Sequence, residues 1–306
     1  MTHSSTSVGQ TPIVAAIDAG GTTFKCAIIK IGQGIIASQR FPTTNPEETL
    51  SACSEFFLQH MSEDTILQAL GIAAFGPLDV DSSSAHFGSI LKTPKPGWSG
   101  VNLKAEFERR LSLPVNIDTD VNGALLAEMK WGAARECHSA AYVTIGTGIG
   151  AGIFANGDLL GKPHHPEFGH ISVRRHIDDT DFKGLCPFHT DCLEGLASAK
   201  ALTHRFGDPK ELSVDHIGWS IIANYLAQAC MALTLSARPE RIILGGGLML
   251  APHLIGAVRK EFFSLMNGYL NQSLDDVNAL IVLPVLGDDA GIWGGVKLAE
   301  DLVRSA

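Results

Sequence analysis

Two stretches of this chain are built alike, and together they restrict its fold more than anything else in it. Ile13 to Ile17 is a short apolar run, followed by Asp18-Ala19-Gly20-Gly21-Thr22-Thr23, after which Lys25 to Ile29 resumes an apolar strand. Ala140 to Ile153 repeats the plan: a strand, a Gly146-Thr147-Gly148 turn, and a second strand. Short glycine turns between β-prone runs read as hairpins. Each hairpin introduces mixed β and α signals, so the chain is expected to form two related α/β halves facing a cleft.

The turns also carry chemistry. Glycines let backbone N–H groups approach an anion closely, and Thr22 and Thr23 add hydroxyl donors. Asp18, at the strand end, is placed to hold Mg²⁺ through water. The competing reading is a plain turn. No GxxxxGK[ST] loop occurs, and no full GxGxxG opens a helix, so neither a Walker nor a Rossmann site is supported. A third glycine end, Gly245-Gly246-Gly247, follows an apolar strand beginning at Arg241 and offers bare backbone to a flat purine.

Between the hairpins the pattern predicts a strand over 34–41 and a helix over 46–61. Asn45 would cap that helix, with Pro46 at its first position and Leu50, Cys53, Phe57 and Met61 on one buried face. A buried strand over 70–74 ends in a turn at 75–79. The Pro/Gly-rich segment 91–100 is a loop whose Trp98 either fills a gap or walls a sugar site, and Asn102 beyond it could touch a hydroxyl. A helix over 103–111 follows. A strand from Val115 then runs into a helix over 123–131, with Asp120 at the junction. A carboxylate there either caps the helix or accepts a proton from an attacking hydroxyl.

The segment His164 to Glu194 combines two further signals. Glu167-Phe168-Gly169-His170 and Glu194 offer carboxylates and an imidazole to a polyhydroxylated ligand. Cys186, His189 and Cys192 stand at intervals of three and can converge on one tetrahedral ion, which makes a closed, structural zinc site if a fourth ligand joins them. His164, His165, His170 and His176 are the candidates for that fourth position. Two buried thiols beside a surface histidine would be the bland alternative.

Composition narrows the partners. With 306 residues, 45% hydrophobic and 18% charged, the chain can bury a large core, and a net charge of −9 disfavours nucleic acid and anionic membranes. No secretory signal or bilayer-spanning stretch is read; Ala140 to Ala155 comes nearest and is broken by Thr and Gly. Six scattered cysteines suggest reduced thiols and a cytoplasmic protein.

Taken in order, DAGGTTFK, DTDVNGALLAE, TIGTGIGAG, HPEFGH, CPFHTDCLEGLAS, LGGGL and DDAGIWGG resemble the ROK family of sugar-handling proteins, from about Ile13 to Ala299. The resemblance implies an actin-like ATPase (ribonuclease H-like) α/β fold of two domains around a nucleotide/sugar cleft. After a tail over 1–11, a small domain over 12–118 would receive a C-terminal helix over 290–306. A large domain over 119–289 would carry the zinc-bound substrate loop. ATP and Mg²⁺ would be held by Asp18, Gly20, Gly21, Thr22, Thr23, with Lys25 beside them, then Thr147 and Gly148, then Gly245, Gly246 and Gly247.

The same resemblance makes Asp120 the general base and gives Asn102, Thr119, Asn122, Glu167, His170 and Glu194 to the sugar. It selects His170 as fourth ligand to a structural Zn²⁺ with Cys186, His189 and Cys192. Thr119 replaces the family's usual Asn before the base, and His189 replaces one of three usual Cys ligands. Both departures, with the LEGLAS run, resemble the bacterial fructokinase branch. The implied activity is ATP-dependent phosphorylation of fructose to fructose 6-phosphate. The alternatives are a glucokinase, mannokinase or N-acetylhexosamine kinase on the same scaffold, or a non-catalytic sugar sensor. A homodimer is implied as well. A repressor is disfavoured, because only about a dozen polar residues precede the first strand, too few for a helix-turn-helix module.

Overall fold

The computed structural model describes residues 11–305, so residues 1–10 of the expected tail lie outside the described part. The chain forms two compact units, one reaching to Gly123 and resuming at Gly291, the other running from Ala124 to Ala290.

The first unit is built on five strands: β1 (Ile13–Ala19), β2 (Thr23–Lys30), β3 (Gly34–Pro42), β4 (Leu67–Ala74) and β5 (Val115–Thr119). They lie in the order β3-β2-β1-β4-β5, with β1 to β3 antiparallel and β1, β4 and β5 parallel. Strands buried on both faces need near-continuous apolar runs, and Val14 to Ile17 and Leu70 to Ala74 supply them. Two helices pack with this sheet's core, α1 (Pro46–His60) and α2 (Leu103–Leu111). Asn45 caps α1 by accepting the Glu48 N–H at 3.0 Å, ahead of Pro46.

The helix α3 (Asp120–Trp131) crosses from the first unit to the second. It begins three residues before the expected Gly123. Thr119 Oγ1 accepts the Asn122 N–H at 3.3 Å, so the threonine serves the first turn and the chain is helical from Asp120.

The second unit repeats the first. Its strands are β6 (Ala140–Ile145), β7 (Ile149–Ala155), β8 (Asp158–Leu159), β9 (Arg241–Gly245) and β10 (Ile281–Val282). Their order is β10-β9-β6-β7-β8, antiparallel through β6, β7 and β8 and parallel through β6, β9 and β10. Read from the hairpin outward, this is the topology of the first sheet. The two halves expected from the hairpins are therefore present as two sheets of one design.

Its helices are α4 (Leu193–Ala197), α5 (Ala199–Phe206), α6 (Ile217–Ser236), α7 (Leu254–Met266) and α8 (Leu274–Leu280). The 20-residue α6, with a mean hydropathy of 1.2, is long and apolar enough to cross a bilayer, contrary to the reading that no such stretch exists. Most of its side chains from Trp219 to Leu233, among them Ile222, Tyr225, Leu226 and Cys230, lie in the core of this unit, which accounts for the apolar composition.

The chain closes with α9 (Ala290–Ser305), most of it in the first unit. A Cβ at Gly71 of β4 would stand 1.9 Å from the Gly295 carbonyl oxygen, so helix and sheet touch backbone to backbone.

Of the two readings of Trp98, the structure supports the gap-filling ring over the sugar wall. It is fully buried between Phe24 and Phe75, at ring-centroid distances of 5.4 and 5.7 Å, and its Nε1 donates to the Thr44 carbonyl at 2.8 Å. An indole that can bury its whole surface and still satisfy its N–H is a core residue.

Candidate active site

In the first sheet the C-terminal ends of β1, β4 and β5 fall on one edge, the usual place for ligands in open α/β sheets. Asp18 is in register with Ala73 and Ala73 with Asp118. Asp120 follows two residues on, at the start of α3. Burial raises the Asp18 carboxyl to about 6, against the opposing pull of Lys25 and Arg40. Burial, and then the charge of Asp18, raises Asp120 to about 6 as well. Two carboxylates poised near neutrality on one edge suit proton transfer and cation binding.

The neighbours of Asp120 are held by a small network. Asp118 Oδ1 accepts the Thr119 N–H and the Asn122 Nδ2, both at 2.7 Å. Asn122 is buried, and its Oδ1 has no partner among the described residues. Asn102 differs. Its Oδ1 caps α2 by accepting the Ala105 N–H at 2.8 Å, and its Nδ2 donates to the Phe87 carbonyl at 3.0 Å, so one acceptor and one donor position of its amide serve the fold.

The turn at 20–23 has its carbonyls tied back. The Gly20 oxygen accepts the Thr43 hydroxyl at 2.8 Å, Thr22 the Thr43 N–H at 2.9 Å, and Thr23 the Gly20 N–H at 3.0 Å. Among the described residues, the N–H groups of Gly21 and Thr22 and the hydroxyls of Thr22 and Thr23 donate to no other group. Lys25 stands in the ladder between Asp18 and Arg40, on the sheet face that carries the Asp18 carboxylate.

The turn at 146–148 is built the same way. The Gly146 oxygen accepts the Ala199 N–H at 2.8 Å and the Gly148 oxygen the Gly146 N–H at 2.9 Å. Glu194, from the first turn of α4, accepts the Ile149 N–H at 2.9 Å. Gly246 has φ +88°, and a Cβ there would meet Ile145 backbone at 2.5 Å, so only glycine lets the end of β9 lie against the β6 turn.

Beyond Glu194 lies the thiol–imidazole cluster. One ligand atom from each of His170, Cys186, His189 and Cys192 lies within 4.8 Å of the others. His170 Nδ1 is 3.6 Å from Cys186 Sγ and 3.5 Å from Cys192 Sγ, and His189 Nδ1 is 3.8 Å from Cys186 Sγ. Of the other histidines, His176 accepts the Asp178 N–H at 3.1 Å, and half-buried His165 is held down to about 4 by desolvation. Glu167 is exposed, and its carbonyl starts the single turn that presents His170.

An ion pair that the motifs do not mark braces this loop. Arg205 Nη1 meets Asp179 Oδ2 at 2.5 Å, with both side chains almost wholly buried, and the Tyr225 hydroxyl donates to the same oxygen at 2.7 Å. Arg205 also donates to the Leu196 carbonyl in α4. Asp179 and Arg205 lie 26 residues apart among ordinary charged neighbours, so only burial distinguishes them.

Residues 14–302 match the ROK family. The chain is 42% identical over 294 residues to the fructokinase of Zymomonas mobilis, covering 94% of this chain and 96% of that protein. It is 41% identical over 289 residues to the fructokinase of Lactococcus lactis subsp. cremoris, covering 94% and 97%. Among solved structures, the ROK hexokinase from Thermus thermophilus superposes with a TM-score of 0.77 at 24% identity, over 96% of this chain and 100% of that one. The fold is the actin-like ATPase fold of those kinases.

Proposed function

This chain belongs to the ROK family and is an ATP-dependent sugar kinase, and from that premise we propose that it carries the γ-phosphoryl group of ATP to the 6-hydroxyl of fructose with Asp120 as general base. The observation that supports the base is Asp120 itself, a buried carboxyl raised to about 6 beside Asp18 at the edge where three parallel strands end. The sugar follows from the high identity to fructokinases over nearly the whole chain.

Phosphoryl transfer has a loose transition state, so the protein contributes position and charge compensation more than covalent chemistry. Asp120 hydrogen-bonds the 6-hydroxyl and accepts its proton as the oxygen–phosphorus bond forms, while the bond to the bridging oxygen breaks and ADP leaves with that electron pair. A base near pH 6 is ionised at neutral pH yet basic enough to help. Asn122 Oδ1 is the acceptor for a neighbouring hydroxyl, with Thr119, Glu167, His170 and Glu194 as further sugar contacts. The donors of the 20–23 and 147–148 turns face phosphate oxygens, and Gly245 to Gly247 the adenosine. Mg²⁺, with Asp18 as its nearest carboxylate, would offset charge on the nucleotide phosphates.

The four-residue cluster fits zinc. Zinc–sulfur bonds near 2.3 Å and zinc–nitrogen bonds near 2.0 Å give tetrahedral edges of roughly 3.3 to 3.8 Å, and the three nitrogen–sulfur contacts above fall in that range. Four protein ligands leave no open position, so the ion would hold the loop and take no part in the transfer. We assign the protein to the cytoplasm, where ATP is available and the six free cysteines stay reduced. A homodimer is the expected assembly, checked by sedimentation.

The test is ADP release with Mg-ATP across fructose, mannose, glucose and N-acetylmannosamine, with Asp120→Asn as control. Turnover on fructose that vanishes in the variant supports substrate and base together. Preference for another hexose removes fructose from the proposal but not the base. Full turnover by the variant refutes the base.

A further inference from the structure

The 20–23 turn carries a cation that no motif marks. Lys95 sits in the 91–100 loop, three residues before the buried Trp98. Trp98 donates its N–H to the Lys95 carbonyl at 3.3 Å, the Lys95 N–H reaches Thr93 Oγ1 at 3.4 Å, and the Ser99 hydroxyl reaches the Thr93 carbonyl at 3.2 Å. The loop is thus folded on itself and pinned to the core by an indole. From that mount the Lys95 Nζ reaches the Gly21 carbonyl at 2.5 Å, across 74 residues of chain.

That bond completes the turn. With Lys95 on Gly21, all four carbonyls from Gly20 to Thr23 accept a hydrogen bond, while the N–H groups of Gly21 and Thr22 and two hydroxyls remain as donors. A Cβ at Gly21 would meet nothing within 4 Å, so the turn is open on that side. Donors, an open face and one ammonium at the rim describe an oxyanion site. A neutral carbonyl is a weaker partner for an ammonium than a phosphate oxygen is, and a lysine stem has the freedom to exchange one for the other.

We propose that Lys95 binds the terminal phosphate of the nucleotide and neutralises the transferring phosphoryl group. The proposal rests on the kinase reading above and adds to it a catalytic cation supplied by the 91–100 loop. Lys95 keeps its protons throughout: the hydroxyl proton goes to Asp120, and the bridging electrons go to ADP. The alternative is a clamp that only holds the loop against the turn.

Lys95→Met, Lys95→Gln and Lys95→Arg separate these. The readouts are ATP and ADP affinity by calorimetry, kcat and KM on fructose, and melting temperature. A phosphate contact predicts that Lys95→Met and Lys95→Gln both lose about 10²-fold in kcat, the scale of one lost charge-stabilising donor. Both should also lose the preference for ATP over ADP while ADP affinity holds, and Lys95→Arg should recover part of each. If Lys95→Gln, which keeps a donor for the Gly21 carbonyl, retains kcat and the ATP preference while Lys95→Met loses stability, the residue is a clamp and the proposal fails. If the wild type turns over no sugar, the kinase reading fails instead, and the ATP-to-ADP affinity ratio of wild type against Lys95→Met still decides the phosphate contact.

Discussion

Glu194 Oε2 accepts the Ile149 N–H at 2.9 Å, which ties the residue two places beyond Cys192 of the thiol–imidazole cluster directly to the β6–β7 turn. The thiol–imidazole cluster, the Glu194 carboxylate and the glycine turn form one connected piece of the second unit. Glu194→Gln keeps an acceptor for Ile149 and removes the charge, so the melting temperature should hold while the fructose KM rises. Glu194→Ala should lower both stability and sugar affinity, because the buried N–H loses its partner, at about 1–3 kcal/mol. Steady-state kinetics and calorimetric melts of the two variants check this.

The Asp120 carboxyl gives a pH signature with a definite sign. The base works when ionised, so kcat/KM on fructose should climb as pH rises through about 6 and level off above it. A profile flat from pH 5 to 8 would remove Asp120 from the role.

The same raised value is a stability statement. A carboxyl lifted from 3.8 to about 6 in the folded protein contributes stability that is complete below the unfolded value and is lost as pH rises through 6. At pH 8 the ionised, desolvated carboxylate therefore opposes folding by up to about 3 kcal/mol. Asp120→Asn should melt higher than wild type at pH 8, with the difference fading by pH 4. Paired thermal melts at the two pH values measure it.

Metal removal should act on the loop and spare the transfer chemistry. Elemental analysis should find one zinc per chain. Chelation, or Cys186→Ser, should lower the melting temperature and raise the sugar KM more than it lowers kcat at saturating sugar. Absence of zinc from carefully purified protein would contradict the assignment.

The Asp179–Arg205 pair makes a separate prediction. With the two side chains only 3% and 6% exposed, Asp179→Ala strands a buried guanidinium and should cost about 3–5 kcal/mol. Since Arg205 also holds the Leu196 carbonyl of α4, the sugar KM should rise with it. Chemical denaturation and kinetics of the variant give both numbers.

Much of this was legible in the residues. Apolar runs interrupted by glycine turns specify hairpins locally, and two such hairpins specify two sheets of one topology. Ligand-type side chains at intervals of three, Cys186, His189 and Cys192, announce convergence because a short loop cannot carry them far apart. Tertiary structure decided what depends on partners distant in sequence. His170 joins the cluster because a single helical turn after Glu167 presents it there, while His165 is half-buried apart from it and His176 accepts a neighbouring backbone N–H. Trp98 became core because Phe24 and Phe75 surround it and Thr44 satisfies its N–H. Asn102 was taken up by capping α2, and Lys95 was delivered to Gly21 by the loop that Trp98 anchors. Local patterning determines elements and turns, since those depend on neighbours in the chain. Whether a polar side chain serves the fold or a ligand depends on which donors and acceptors the folded chain brings within 3 Å of it, and that is settled only when residues distant in sequence pack together.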